Sequence, residues 1–581
     1  MKKNNWKILI PILLIAFSLR LLGIFYHSYG DETNQLYRTL LMAQFKFEQN
    51  WNHGIYSYFM VVYYALFFLV MKIAGVFQSL ADFKEYYFTD AHWIFIAGRV
   101  AECLAGTACV GFLYLLGKKL YNNAVGLIAA IFLSFAYVHV EISQIARGQA
   151  FCSLLVILAL YFIYLINSTR KLSNYLWAGA LIGAAASIRI YTVLLLFPLV
   201  LSHFSKSSSP QVAAPFRERL FRKISPSSNV MSSFKTGLLS KKIFSALLVC
   251  LGTFILCNPD IILNFREMMG FIFKPLMMLR GEDVITAVGY TTGATNGWIY
   301  YLKIGLPKAL GWEVYIISIF GFIYGIFKIR NIANLIMVSF SAIFILIMGK
   351  SAITTSHYLF PIIPALVILG ANFIVIIIDH VRTNKKVIIF VLIPLLVILN
   401  PARRIIDKDI AKLRTTTLDL SREWIFQNIP DGSRVAVEST GHSGPDIKLD
   451  RVLYYDLYNL SEKELKELYN ERQNQDPGSS LALKYFIENP PNPKYYIINL
   501  GVRENISIKY LKDKKPEYVV ISSGVYNLYN EEETIERYPD LARSRLEMYA
   551  WIEKEWDLLK VFTSTNHHPG PQIKIYKRRK N

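Results

Sequence analysis

The stretch that decides the fold is Ile8-Leu-Ile-Pro-Ile-Leu-Leu-Ile-Ala-Phe-Ser-Leu-Arg-Leu-Leu-Gly-Ile-Phe25, followed closely by Ser28-Tyr-Gly-Asp-Glu-Thr33. The apolar run is close to the roughly 20 residues that cross the hydrocarbon of a bilayer. Asp31 and Glu32 are costly to place against lipid and have no role in spanning it. A carboxylate at such a surface can also deprotonate a hydroxyl group. The pair is therefore the first candidate for a functional site.

The composition predicts a polytopic membrane protein, because the 581 residues are 53% hydrophobic and only 18% charged. The net charge of +21 could indicate nucleic-acid binding. Much of the excess lies in short segments between apolar runs, where it sets topology, so no nucleic-acid partner is expected. The candidate spans are 8–26, 93–117, 124–141, 150–166, 175–188, 191–204, 243–257, 312–328, 332–349, 360–378 and 386–400.

A further apolar run, 57–77, decides the topology of everything after it. If it does not cross, nearly all the basic loops, including 205–242, lie on one side, as the positive-inside rule requires. We therefore expect about 11 transmembrane helices, a cytoplasmic N-terminus with an uncleaved first helix, and an outer loop 27–92 with interfacial helices. Segment 205–242 is predicted to be a mobile, basic cytoplasmic loop.

The composition changes from about residue 401. Charged segments such as 461–472 alternate with strand-like runs at 434–438, 495–499 and 518–522. The predicted fold class is thus a polytopic α-helical membrane domain, 1–400, with a C-terminal extracytoplasmic α/β domain, 401–581. The five cysteines all lie in apolar runs without metal-ligand spacing, so neither disulfides nor a cysteine metal site are expected.

Several cations are predicted on the same outer side as the acid pair. The chief candidates are Arg147, Arg189, Lys350 and His357, and further polar residues there are Arg20, Arg99, Glu141 and Gln144. A carboxylate pair surrounded by cations suits a phosphate-bearing substrate. Two structural alternatives stay open: each cation can snorkel or form an ion pair, and the acids can cap a helix over 33–47.

A sugar linked to a lipid phosphate would fit this arrangement, because the departing phosphate is a stable anion that needs no general acid. The transfer needs a base for the acceptor hydroxyl and cations on the phosphate. Asp31 is the predicted base, and Arg189, Lys350 and Arg147 are predicted to stabilise the phosphate. Such a single displacement would invert the anomeric carbon.

The order of these features resembles the GT-C membrane glycosyltransferases, and most closely glycosyltransferase family 39. That family contains the protein O-mannosyltransferases and the lipid A aminoarabinose transferases. The resemblance covers about residues 5–400 and rests on the acid pair and on Arg99-Val-Ala-Glu-Cys-Leu-Ala-Gly106, Leu116-Gly-Lys-Lys-Leu-Tyr121, Ala184-Ala-Ala-Ser-Ile-Arg-Ile-Tyr191 and His357-Tyr-Leu-Phe-Pro-Ile-Ile-Pro364. Glu423-Trp-Ile-Phe-Gln-Asn-Ile-Pro430 and Gly570-Pro-Gln-Ile-Lys-Ile-Tyr576 resemble the outer domain of bacterial members.

The resemblance implies a polyprenyl-phosphate-sugar donor and a protein, lipid or cell-surface glycan acceptor at the outer face of a bacterial plasma membrane. It places the catalytic aspartate at Asp31 and its neighbouring acid at Glu32. Many relatives carry another acid where this chain has Gln149. No cofactor and no metal site are therefore predicted, with a divalent metal, as in oligosaccharyltransferases, left as the alternative.

Three other functions compete with this interpretation. A polymerase or ligase of lipid-linked glycans would use similar donors. A transporter would show internal repeats and ionisable groups near the bilayer midplane, which the sequence lacks. A sensor that binds glycan through 401–581 would leave the acid pair without a purpose.

Overall fold

The structure, a computed structural model, describes residues 6–26, 32–43, 45, 54–89, 91–205, 240–263, 265–266, 296–351, 354–381, 386–438, 444–445, 447, 459–472, 477–501 and 507–579. Asp31 and most of the basic loop 205–242 lie outside these residues.

Most of the described residues before residue 430 are helical. They are α1 Trp6–Leu22, α2 Glu32–Ala43, α3 Gly54–Ile73, α4 Leu80–Thr89, α5 His92–Leu120, α6 Asn123–Ser134, α7 Tyr137–Ile142, α8 Gln149–Thr169, α9 Leu172–Ile188, α10 Leu196–Phe204, α11 Lys241–Cys257, α12 Asp260–Leu263, α13 Gly297–Tyr300, α14 Leu306–Leu310, α15 Trp312–Phe327, α16 Ile332–Met348, α17 Ile363–His380, α18 Lys386–Lys412 and α19 Thr417–Asn428.

Five helices in the described part of the chain are long and apolar enough to cross a membrane, which makes the chain an integral membrane protein. They are α3, α5, α8, α17 and the apolar part of α18. A sixth span results if Gly297–Leu310 and Trp312–Phe327, which meet at 119°, are counted together. Several of the eleven predicted spans correspond to apolar helices of 10–17 residues, including Asn123–Ser134, Leu172–Ile188 and Ile332–Met348, so the number eleven stays a prediction.

Helix α3 covers most of the run 57–77, whose crossing decides the predicted topology. Its length and hydropathy are sufficient for a span. The expectation that it lies in the interface therefore depends only on the distribution of basic residues.

Small residues bring α9 and α11 into close contact. Gly179 and Gly183 lie one turn apart on α9. A Cβ atom would lie 2.3 Å from the carbonyl oxygen of Ala246 at the first and 2.2 Å from that of Cys250 at the second. Because lipid supplies no hydrophobic force between helices, such backbone approach is a main source of packing energy in a membrane.

Helix α18 continues twelve residues past the predicted end of the last span, from 400 to 412. The predicted domain border at 401 thus falls inside a helix. The extension lies against α7 and the end of α1, where its polar residues form the contacts described below.

The C-terminal part contains a five-stranded sheet of order β2-β1-β3-β5-β4. Its strands are β1 Arg434–Val437, β2 Tyr496–Asn499, β3 Tyr518–Ser522, β4 Trp556–Phe562 and β5 Ile573–Arg578. The three predicted strands are present as β1, β2 and β3, and they pair in parallel, whereas β5 is antiparallel to β3 and β4 to β5. The helices around the sheet are α20 Glu462–Arg472, α21 Pro477–Glu488, α22 Ile508–Lys514, α23 Ser523–Tyr526, α24 Glu532–Arg537 and α25 Pro539–Glu555.

A buried carboxylate joins this sheet to α25. Glu438, directly after β1, is fully buried and accepts hydrogen bonds from the Ser522 amide (2.9 Å) and the Tyr549 hydroxyl (2.5 Å). Burial raises the pKa of Glu438 to about 7, although Tyr549, Ser522 and Arg545 act in the opposite direction. The contact packs α25 against the parallel strands.

We predict that Gly183→Val separates α9 from α11 and lowers the midpoint of thermal unfolding in detergent, since overpacking costs about 1–3 kcal/mol. The matched control is Gly252→Val on α11, where an added Cβ meets no atom within 4 Å. Equal midpoints for the two variants would contradict the contact.

Candidate active site

The acid of the predicted pair that the structure describes, Glu32, is held by Arg99. Glu32 is the first residue of α2, and only 1% of it is exposed. Arg99 Nε lies 3.0 and 3.1 Å from its two carboxylate oxygens, and Nη2 lies 2.6 Å from Oε2. The amide of Ala146 donates to Oε1 at 2.7 Å. Both oxygens of Glu32 are therefore engaged, which compensates the loss of hydration on burial.

The guanidinium of Arg99 also binds the end of the first helix. Its Nη1 donates to the carbonyl oxygens of Ile24 (2.6 Å) and Tyr26 (2.7 Å), and its Cζ lies 3.8 Å from the centre of the Tyr26 ring. One side chain thus joins the chain after α1, the start of α2, and, through Glu32, the segment between α7 and α8.

That segment is held at a second point by another carboxylate. Glu102 lies three residues after Arg99, on the same face of α5. Its Oε2 accepts a hydrogen bond from the amide of Ala150 at 2.9 Å. Arg147, a predicted phosphate ligand, lies between the two anchored amides and is half-buried.

Other polar residues predicted on this face serve packing. Arg20 is fully buried and donates to the carbonyl of Ala16 (2.8 Å), while Nη2 lies 3.0 Å from His139 Nδ1. It also reaches Ser143 Oγ at 3.3 Å. These contacts join α1 to α7.

Polar side chains in the extension of α18 bind Glu141 and Gln144. Lys408 forms an ion pair with Glu141. Gln144 donates from Nε2 to Asp409 at 2.7 Å and accepts from Lys412 at 2.5 Å. These two predicted site residues are therefore engaged with the last helix of the membrane domain.

Arg189 and His357 lie along a line of aromatic rings. Arg189, at the end of α9, is 8% exposed and interacts electrostatically with Glu102 and Tyr191. The ring centres of Tyr191 and Tyr358 are 6.1 Å apart, and those of Tyr358 and His357 are 4.7 Å apart. The structure thus brings Arg189 close to the Glu102 side of the site and links it through aromatic contacts to His357.

Lys350 is exposed, two residues past the end of α16. Within the described residues, no hydrogen bond joins its side chain to the other candidates. Asp31 is outside the described part of the chain, where it directly precedes the anchored Glu32. The catalytic and phosphate-binding roles stay predictions.

Glu102 is the residue of this site that the sequence interpretation missed. An acid inside an apolar helix is itself a signal of function in a membrane protein. Glu102 is far from Asp31 and Glu32 in the sequence. Only the fold shows that Glu102 and Glu32 bind the same segment, between α7 and α8.

Known proteins support the resemblance to the GT-C class. Residues 94–215 match the family model described as dolichyl-phosphate-mannose-protein mannosyltransferase, which confirms the resemblance to family 39. No curated protein matches the sequence.

Two solved structures are similar over most of the chain. The archaeal oligosaccharyltransferase AglB from Archaeoglobus fulgidus, in complex with an inhibitory peptide and a dolichol-phosphate, is 12% identical, with 98% of this chain and 74% of that chain covered and a TM-score of 0.46. ArnT from Cupriavidus metallidurans, bound to undecaprenyl phosphate, is 11% identical, with 98% of each chain covered and a TM-score of 0.46.

We predict that Arg99→Ala strongly destabilises the protein, because it leaves the Glu32 carboxylate buried without its cation. Removing one partner of a buried pair costs about 3–5 kcal/mol. The matched control is Arg403→Ala, which breaks an exposed ion pair with Asp407 and should change stability by less than about 1 kcal/mol. Thermal unfolding in detergent measures both, and similar midpoints would contradict the anchoring role.

Proposed function

We propose that this membrane glycosyltransferase, of the GT-C class and the family 39 type, transfers a sugar from a polyprenyl-phosphate donor to an acceptor hydroxyl. The observation that carries the proposal is the double anchoring of the α7–α8 segment by Glu32 and Glu102. Because Arg147 lies between the two anchored amides, this anchoring supports a role for Arg147 as a phosphate-binding cation near Glu32.

In the proposed reaction, Asp31 removes the proton from the acceptor hydroxyl. The hydroxyl oxygen attacks the anomeric carbon as the bond to the phosphate oxygen breaks, and the configuration inverts. Arg147 and Arg189, joined by Lys350 and His357, stabilise the phosphate that leaves as an anion. Glu32 fixes the start of α2, directly beside the base.

From the distribution of basic residues we further propose about 11 spans, a cytoplasmic N-terminus and an extracytoplasmic sheet domain in a bacterial plasma membrane. The proposal also includes transfer without a metal, since Gln149 is an amide where many relatives carry an acid. The acceptor, whether protein, lipid or glycan, is identified by comparing glycolipids and glycoproteins of cells with and without the gene.

We predict that Asp31→Asn abolishes formation of the product found in that comparison, because a general base contributes about 10²–10⁴-fold to rate. The protein should still insert and fold. The matched control is Asp82→Asn in the same outer loop, where the carboxylate accepts from the Gln78 amide and the Ser79 hydroxyl at the start of α4. Full product with Asp31→Asn would disprove the assignment of the base.

We predict that Arg189→Ala raises the KM for the donor by about tenfold or more and changes the KM for the acceptor less, because a charge-assisted bond to phosphate is lost. Arg189→Lys should recover part of the affinity, since it keeps the charge without the planar fork. Steady-state kinetics of the purified chain measure both constants. Equal increases in the two KM values would count against a role at the phosphate.

A further inference from the structure

Among the residues that the structure describes, one carboxylate oxygen of Glu102 has no hydrogen-bonding partner. Glu102 is fully buried in α5, and its Oε2 is occupied by the Ala150 amide. Its Oε1, also buried, accepts no hydrogen bond. A charged side chain in a span is costly, so its presence indicates a function that a neutral residue does not supply.

Two further unsatisfied polar atoms lie on neighbouring elements. The hydroxyl of Tyr56, on α3, and Nε2 of Gln149, the first residue of α8, are buried and have no hydrogen-bond partner in the described part of the chain. Tyr56 is close enough to interact electrostatically with Glu102, although no hydrogen bond of good geometry joins them. Its ring lies against Gly148, where an added Cβ would be 2.8 Å from the ring. Three helices therefore contribute polar groups to one region.

Anchoring the α7–α8 segment does not explain this arrangement. The Ala150 amide needs one acceptor oxygen, which a glutamine would provide without a charge. Each buried polar atom left without a partner destabilises the folded chain. Such atoms are typical of a site that a ligand completes.

The chemistry of the unsatisfied atoms selects the ligand group. Oε1 of Glu102 requires a donor, whereas the hydroxyl of Tyr56 and Nε2 of Gln149 can donate. A hydroxyl group donates and accepts at once. A phosphate only accepts and is repelled by the carboxylate, and an ammonium group only donates.

We infer that Glu102 and Tyr56 bind a hydroxyl of the sugar being transferred. The inference rests on the proposed function and adds the subsite that recognises the sugar. The donor is favoured over the acceptor because α3, which carries Tyr56, is bonded to the end of α9 two residues before Arg189, the proposed phosphate ligand: the Ile55 amide donates to Ser187 Oγ at 3.2 Å. Glu32, next to the proposed base, interacts with Tyr56. Tyr56 packs against Gly148, between the amides of Ala146 and Ala150 that Glu32 and Glu102 anchor. The subsite thus adjoins Glu32, the sequence neighbour of the proposed base.

The test compares binding of undecaprenyl phosphate with binding of undecaprenyl-phosphate-linked mannose, glucose, galactose and arabinose to the purified full chain. The sugar lipid that the wild type binds best, relative to the bare lipid phosphate, is used for the variants. Glu102→Gln keeps an acceptor for the Ala150 amide but replaces the free oxygen by a donor, and Tyr56→Phe removes only the hydroxyl. Each should lower the preference for the sugar lipid over the bare lipid about tenfold.

The double variant tests whether both side chains bind one hydroxyl. Because the ligand group is shared, Glu102→Gln with Tyr56→Phe should lower the preference little more than either change alone. Fully additive losses would overturn the shared site. Tyr175→Phe is the matched control, since its buried hydroxyl bonds His203 at 2.6 Å, away from the site, and the preference should stay unchanged.

The remaining outcomes separate the inference from the proposed function. If the variants lose affinity for both lipids equally, or keep the preference because only water fills the site, the inference is wrong and the proposed function stands. If the wild type binds the bare lipid but prefers no sugar, the inference is again wrong. If it binds neither lipid, the proposed function is wrong and the inference falls with it.

Discussion

The ion pair between Arg99 and Glu32 is the constraint on which one face of the helix bundle depends. A guanidinium and a carboxylate taken out of water are stable only when their hydrogen-bonding capacity is met. Arg99 meets it by binding Glu32 and the carbonyl oxygens of Ile24 and Tyr26, and Glu32 by also accepting from Ala146. The end of α1, the start of α2, α5 and the α7–α8 segment are thereby held in one arrangement.

The cations of this face divide into two groups. Arg20, Arg99 and Lys408 are paired with protein groups and hold helices together. The cations proposed to bind the phosphate are Arg147, which lies between the two anchored amides, and Arg189, which follows α9. The excess of cations over acids in the sequence therefore does not give the number of cations that can bind a substrate, because some of these cations bind other protein groups.

The acids are distributed in a way that bears on the chemistry. Gln149 begins α8 with an amide, and Glu102 of α5 brings a carboxylate to the same helix start through the amide of Ala150. The negative charge near this point is supplied by a different helix. The other carboxylate oxygen of Glu102 has no hydrogen-bond partner among the described residues, and the proposed sugar subsite is argued from that oxygen.

The sequence by itself determined the membrane class, the order of most helices and the three parallel strands of the C-terminal sheet. These depend on local patterns: apolar runs long enough for a bilayer, and short β-branched runs such as Tyr518–Ser522. The sequence also identified Asp31 and Glu32 as candidates, since two acids directly after an apolar helix are unusual whatever the fold of the following residues. The number of crossing helices depends on more than hydropathy, because several apolar runs form helices shorter than a span.

Only the tertiary structure decided what each polar residue contacts. Arg99 and Glu32 are 67 positions apart, and Gln144 and Asp409 are 265 apart. Hydropathy and spacing act over a few turns of one helix, whereas these contacts arise from the packing of helices distant in sequence. For that reason the sequence placed Glu141 and Gln144 among the site residues, although the extension of α18 engages them, and gave no role to Glu102.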